Sequence, residues 1–208
     1  MQLDKLGDPL AHGVLLIREC LDGVLLRNRS LKGMTAIETS FARADLGGAH
    51  LSFMTFVRCD FSHAIFDSAR FERCEFFKCD LRGASFEAAT FERGVIAACE
   101  MARASLEGAR IFFSNIVETS LEGASFREAD IEKAVFLKCA LQRLDLSRAR
   151  LRDVGIIYAD LRQANLDGLD CDAIMLNEAG LSERDLRSLA LARADLMDGS
   201  IAADGHAD

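Results

Sequence analysis

Residues 118–136 read ETSLEGASFREADIEKAVF. Leu121, Phe126, Ile131 and Phe136 recur there at intervals of five, and Thr119, Ala124, Ala129 and Ala134 each stand two residues earlier. Extended in both directions, the first series runs unbroken from Phe41 to Leu166, and all 26 positions hold Leu, Phe, Ile or Met. Its densest aromatic stretch is Phe61, Phe66, Phe71, Phe76, Leu81, Phe86 and Phe91. The second series holds Ala, Cys, Ser, Thr or Gly at 23 of its 26 positions, the exceptions being Met54, Leu144 and Val154.

Neither a helical period of 3.6 nor a strand period of 2 divides five, so simple helix and strand readings both fail. The physical solution is a coil that turns once per unit. Four units then close a square of about 20 residues. The large central residue points inward, and so does the small residue two before it. The walls converge at the small position, where a bulky side chain would overfill the interior. The other three positions face outward and are free to vary. Successive coils pair like parallel strands about 4.8 Å apart.

The stretches ARADLGGAHL, KCDLRGASF, ETSLEGASFREADIEKAVF, YADLRQANLDG and ARADLMDG resemble the pentapeptide-repeat family, whose unit is loosely A-(D/N)-L-x-x. The resemblance covers at least residues 39–168 without a register break. It implies an all-β fold, a right-handed quadrilateral parallel β-helix with capped ends. The central register extends from Leu16 to Ile201, which implies about nine coils and a rod about 40–45 Å long.

The small inward position degrades at both ends, with Glu19, Arg29 and Met34 early and Leu169, Ile174, Arg184 and Leu189 late. Residues 1–38 therefore read as an N-terminal cap merging into the first coils, and 39–176 as the regular array. Residues 177–201 read either as degenerate coils or as a short helical cap, since Ser182 and Asp185 resemble a capping box while Ala194-Asp195-Leu196 is a good repeat unit. Residues 202–208 read as a disordered tail.

The chain has 208 residues, 50% of them hydrophobic and 28% charged, with one proline, Pro9. A continuous backbone ladder leaves little room for proline, which has no N–H to donate. The net charge is −8, and four of those eight excess charges lie in residues 177–208. That balance disfavours direct electrostatic binding to nucleic acid or anionic lipid. No apolar run reaches 18 residues and the N-terminus lacks a signal-peptide pattern, so the expectation is a cytoplasmic protein without a membrane span.

Candidate chemistry is sparse. Cys59, Cys74, Cys79, Cys99 and Cys139 all fall on the small inward position and read as buried fillers rather than as metal ligands. Cys20 and Cys171 fall outside that set. The histidines at 12, 50, 63 and 206 are scattered, and the repeat is expected to place no cleft beside them. Gly33, Gly83 and Gly123 recur at multiples of ten and read as a turn position. No catalytic residue, metal site or cofactor site is expected.

One outward column differs from the rest. Val57, Phe77, Ala97, Val117, Leu137 and Ile157 recur every 20 residues and are all apolar, with Val95 and Val135 on the same face. Phe53, Phe112 and Phe113 are expected outward on the preceding face. Such a stripe reads either as a surface for a protein partner or homodimer, or as a face covered by the termini. Two functions follow. The stripe points to a non-enzymatic interaction scaffold, and some members of the family resemble modules attached to secretion machinery, type VI systems included. The resemblance also implies an alternative, a DNA mimic that binds DNA gyrase and confers quinolone protection. The size and net charge fit that alternative, and the mixed-sign outward columns do not.

Overall fold

The computed structural model describes residues 13–181 and the two-residue strand Asp195–Leu196. Over 13–181 the chain winds into an all-β parallel solenoid of about eight turns. Its four sides are named here by their inward centres. The first carries Leu21, Phe41 and Phe61, the second Leu26, Leu46 and Phe66, the third Leu31, Leu51 and Phe71, and the fourth Leu16, Ala36 and Phe56.

The third and fourth sides are continuous sheets. The third has eight strands from Ser30–Lys32 to Asp170–Asp172, and the fourth has ten from Leu15–Ile17 to Asp195–Leu196. Every strand pairing is parallel and joins residues 20 apart, as Phe56 with Phe76 and Ile96 with Ile116. Three-residue strands suffice because only the middle side chain enters the core.

The first and second sides are built differently. Each contributes one bridging residue per coil, as in Ser40↔Asp60 and Asp45↔Ile65. A β-turn closes beside it, with Ala44 N–H donating to Phe41 O and Ala49 N–H to Leu46 O, both at 2.9 Å. The repeat alone treats the four sides as equivalent. The residue before the centre breaks that equivalence. Oδ1 of Asp60, Asp80 and Asp160 on the first side, and of Asp45 and Asp145 on the second, accepts the N–H two residues on at 2.8–3.0 Å. These Asx-turns give the D of the repeat unit its physical role. The fourth side carries Thr35, Thr55, Val95 and Val135 at the same place, residues that suit a pleated strand.

Each corner lies two residues past a centre. All 34 corners from Gly13 to Glu178 have positive φ, and 26 of them are not glycine. The left-handed conformation costs an L-residue roughly 1–2 kcal/mol. It persists because the corner N–H groups from Gly13 to Tyr158 are used in the ladder, as in Arg43 N–H to Ser62 O at 2.9 Å and Arg58 N–H to Phe77 O at 2.8 Å. The glycine positions expected as turns are a subset of this series.

The core is a column of stacked rings and small fillers. Phe41 stacks on Phe61 at 4.8 Å between centroids, Phe56 on Phe76 at 4.9 Å and Phe71 on Phe91 at 4.4 Å. Phe66, Leu81 and Phe86 are fully buried with them. Ala64, Ala69, Ala84 and Ala89 fill the converging walls, and the larger Met54, Leu144 and Val154 are also buried.

Coil geometry is already regular at Leu15, so the described part of the N-terminal stretch is coil. Its first small positions are uneven: Val24 and Met34 are buried, whereas Arg29 is exposed where later coils place alanine. At the other end the ladder slips by one residue. Leu161 N–H donates to Ala179 O, whereas Leu141 N–H donates to Asp160 O. The 20-residue register returns where Asp195–Leu196 pairs with Met175 and Leu176. The choice between coil and helix from residue 182 to 191, the tail 202–208, and any cap formed by residues 1–12 lie outside the described residues.

Candidate interaction face

The fourth side presents two outward columns, because residues flanking each buried strand centre point away from the core. The column after the centre reads Ile17, Ile37, Val57, Phe77, Ala97, Val117, Leu137 and Ile157 before Asn177 ends it. Eight consecutive coils are therefore apolar. Sequence reasoning found six of these residues and missed Ile17 and Ile37, because it began counting where the small inward position becomes strict. The outward column does not depend on that position.

Ile17 is 51% exposed and Phe77 46%, while the remaining members are half-buried against one another. The column before the centre is mixed. Leu15, Val95, Val135 and Met175 alternate with Thr35, Thr55, Glu75, Asn115 and Gly155. Val95 and Val135 thus share the sheet with the stripe, as expected.

Phe53 and Phe113 are not on the preceding face. They occupy the corner between the third and fourth sides, at φ +55° and +51°. Both rings are exposed there, by 43% and 49%. Each ring is bracketed by cations. Lys32 and Arg73 lie 5.7 and 5.4 Å from the Phe53 centroid, and Arg93 and Lys133 lie 5.6 and 5.2 Å from that of Phe113. Phe112 stays on the third side, under Arg110 at 5.0 Å.

The opposite edge of the fourth side is a charged corner column. Arg18 Nε and Arg58 Nη2 each lie 2.7 Å from a different oxygen of Glu38. Hydrogen bonds from Arg18 and then Arg58 hold the Glu38 carboxyl below its ordinary range. Further along, Lys138 Nζ stands 4.0 Å from Glu118. Tyr158 follows and is exposed.

A second concave feature runs along the corner between the first and second sides. Arg43, His63, Arg82, Arg103 and Arg143 line a groove of about 890 Å³. It exists because Gly83 and Gly123 leave gaps in a column of long side chains, and the His63 ring lies over Gly83. The expectation that no cleft adjoins a histidine is therefore wrong for His63. Arg82 is committed to Asp80, and Arg143 lies 3.5 Å from Glu122. Among the described residues no group of three His, Cys, Asp or Glu is placed to hold a metal ion.

The inward cysteines donate Sγ–H to backbone carbonyls, as from Cys59 to Ala36 O at 3.3 Å and from Cys139 to Ile116 O at 3.3 Å. Burial pushes the Cys74 thiol up to about 12 and the Cys139 thiol to about 11. Hydrogen bonds with Cys59 and Cys99, and then burial, raise that of Cys79. Cys171 is buried at a centre of the third side, and Cys20 is exposed. Among the described residues no helix is long and apolar enough to cross a membrane.

The model of the pentapeptide-repeat family, in eight copies, matches residues 55–93, 99–139, 114–153 and 133–168. No curated protein matches the chain. Among solved structures it is similar to full-length QnrB1, a plasmid-mediated fluoroquinolone resistance protein, at 22% identity over 94% of each chain with a TM-score of 0.42. A trypsin-treated QnrB1 variant matches at 20% identity over 89% of this chain and 99% of that one, with a TM-score of 0.49. HetL, a pentapeptide repeat protein involved in heterocyst differentiation regulation from the cyanobacterium Nostoc sp. strain PCC 7120, matches at 18% identity over 75% of this chain and 86% of that one, with a TM-score of 0.31.

Proposed function

The chain belongs to the pentapeptide-repeat family, and on that premise we propose that it is a non-enzymatic interaction rod whose fourth side binds a protein surface. The observation that carries this reading is the apolar column from Ile17 to Ile157. The corresponding column of the third side reads Lys32, Ser52, Glu72, Glu92, Phe112, Glu132, Arg152 and Asp172, as a solvated sheet should. An apolar column eight coils long stays hydrated until something covers it, and covering it is favourable. The ladder beneath holds the column rigid, so little conformational entropy is lost on binding.

The gyrase-binding alternative draws on the net charge of −8. The distribution of charge favours the interaction rod instead. Eleven acidic side chains on the described coils are ion-paired, as in Arg82–Asp80 and Arg162–Asp160, and the groove beside His63 is cationic. A duplex mimic needs a continuous negative surface.

The test is affinity capture from the source cytoplasm with the wild-type chain and with the double variant Phe77→Asp, Leu137→Asp. Proteins retained by the wild type and lost by the variant are expected, and identical retention overturns the reading. A supercoiling assay with and without a quinolone separates the alternative. Inhibition or protection at micromolar protein would establish it in place of the first.

A further inference from the structure

The apolar column is nearly symmetric about its own midpoint, and Phe53 and Phe113 at one edge stand equidistant from it; the column before the centre is not symmetric, since Glu75 and Val95 hold equivalent places there. That midpoint falls between the strands Glu75–Phe77 and Val95–Ala97. We propose that the partner of the fourth side is a second copy of this chain, packed face to face and antiparallel, with the two-fold axis crossing the rod at that midpoint. The proposal rests on the reading of the fourth side as an interaction face and names its occupant.

A two-fold axis lying in the interface, across the rods, sets each outward column against itself with its order reversed. Phe77, the largest side chain of the stripe, then faces Ala97 of the second copy, the smallest. Val57 faces Val117, Ile37 faces Leu137 and Ile17 faces Ile157, so no apolar residue of the stripe meets a polar one. At one edge the same operation sets Phe53 against Phe113, two exposed rings that each carry flanking cations.

The charged edge selects this register. Glu38 faces Lys138 of the second copy, Arg58 faces Glu118, and Arg18 faces Tyr158. No like charges oppose each other in that column. Arg73 faces Arg93 on the aromatic edge, where Glu72 and Glu92 stand beside them. Moving the axis by half a coil, onto Ala97, opposes Arg58 to Lys138 and Phe77 to Val117. A parallel pair would set the two edges against one another, opposing Lys78 to Arg73, Lys138 to Lys133 and Phe77 to Glu75. In both alternatives like charges meet on the edge that carries Arg58, Lys78 and Lys138, whereas the proposed register sets opposite charges together there.

The first measurement is the mass of the full chain by light scattering over a dilution series. About twice 22.8 kDa is expected at the upper concentrations. Register is read by oxidative cross-linking in a Cys20→Ser background, since the other cysteines are buried. Glu38→Cys with Lys138→Cys in one chain is expected to give covalent dimer on a non-reducing gel. Within a chain those positions are five coils, roughly 24 Å, apart, beyond disulfide reach. Either single variant is expected to give at least about tenfold less. Arg58→Glu should weaken association about tenfold, and adding Glu118→Arg should recover it.

A monomer at every concentration overturns the dimer. So does a dimer in which Glu38→Cys cross-links alone as strongly as the pair. Failure of the broader reading is distinguishable: a monomeric chain whose captured proteins are lost on Phe77→Asp, Leu137→Asp retains the face as a docking surface for a different protein. A monomer with unchanged capture loses both.

Discussion

The rings of Phe66 and Phe86 lie 4.8 Å apart at 5° to one another, stacked across two consecutive coils of the second side. Ala84 occupies the small position beside Phe86, and both residues are buried. The same inward wall therefore asks for opposite things two residues apart. Phe86→Ala removes a ring from a stacked column and leaves a cavity, at a cost of about 3–5 kcal/mol. Ala84→Leu overfills the converging wall and costs about 1–3 kcal/mol. Thermal or denaturant melting of the two variants checks this, and equal tolerance of both would contradict the packing.

Ala88 and Gly108 sit on the same corner of consecutive coils, at φ +54° and +63°. A side chain there carries the left-handed cost without compensating contact, since a Cβ on Gly108 would meet nothing within 4 Å. Ala88→Gly is expected to stabilise the chain by about 0.5 kcal/mol, the relief of strain exceeding the added entropy of the unfolded chain. Gly108→Ala is expected to destabilise it by about 1 kcal/mol. Opposite signs in urea midpoints at unchanged m-value are the readout.

How much of this was legible in the sequence depends on what each residue answers to. Phe86 and Ala84 answer to the steric rule of the coil interior, which repeats in every unit, so their inward placement could be read directly. The inequality of the four sides could not be read from the period. Its signal was nonetheless present, in Asp60, Asp80 and Asp145 before centres of the turn-closed sides and in Thr55, Val95 and Val135 before centres of the fourth. Short carboxylates close Asx-turns, whereas β-branched side chains prefer extended backbone.

The interaction face was partly legible for the same reason. Val57 to Ile157 follow from period and polarity alone. Ile17 and Ile37 were hidden by the irregular inward residues Glu19, Arg29 and Met34 of the first coils, which have no bearing on the outward column. Phe53 and Phe113 needed the backbone. Their place at a positive-φ corner between the third and fourth sides, rather than on a strand, is a property of the backbone. The groove beside His63 depends on where long side chains lie over Gly83 and Gly123, which spacing does not specify.

Acid should loosen the turn-closed sides before it touches the core. Hydrogen bonding from Arg82 chiefly, and the backbone N–H of the same residue, hold the Asp80 carboxyl below its ordinary 3.8, and Arg162 does the same for Asp160. A carboxyl depressed in the folded state stabilises it above the unfolded value, and that contribution is lost as pH falls through the folded value. The melting temperature is therefore expected to fall as pH drops below about 4. Asp80→Asn with Asp160→Asn keeps the Asx-turn acceptor, as Asn165 does toward Asp167 N–H at 3.1 Å, but removes the titration. The variant should show a flatter melting temperature between pH 5 and pH 3. An unchanged acid slope would place the sensitivity in other carboxylates.

Thiol reactivity offers a direct measure of how tightly the coil is closed. Cys20 is exposed, whereas Cys59, Cys74, Cys79, Cys99, Cys139 and Cys171 are buried. Reaction needs the thiolate, and burial pushes Cys74 up to about 12 and Cys139 and Cys171 to about 11. At pH 8 one of the seven thiols should therefore react promptly with a chromogenic disulfide in the native chain, and all seven in denaturant. Cys20→Ser should abolish the fast phase. The slow phase then reports opening of the ladder, because the five buried sulfurs at small inward positions also bond carbonyls of the wall, such as Leu51 O for Cys74 at 3.3 Å. Phe86→Ala should speed that phase in proportion to its loss of stability if the coils open as one cooperative unit, and should leave the phase unchanged at Cys139 if opening is local to each coil.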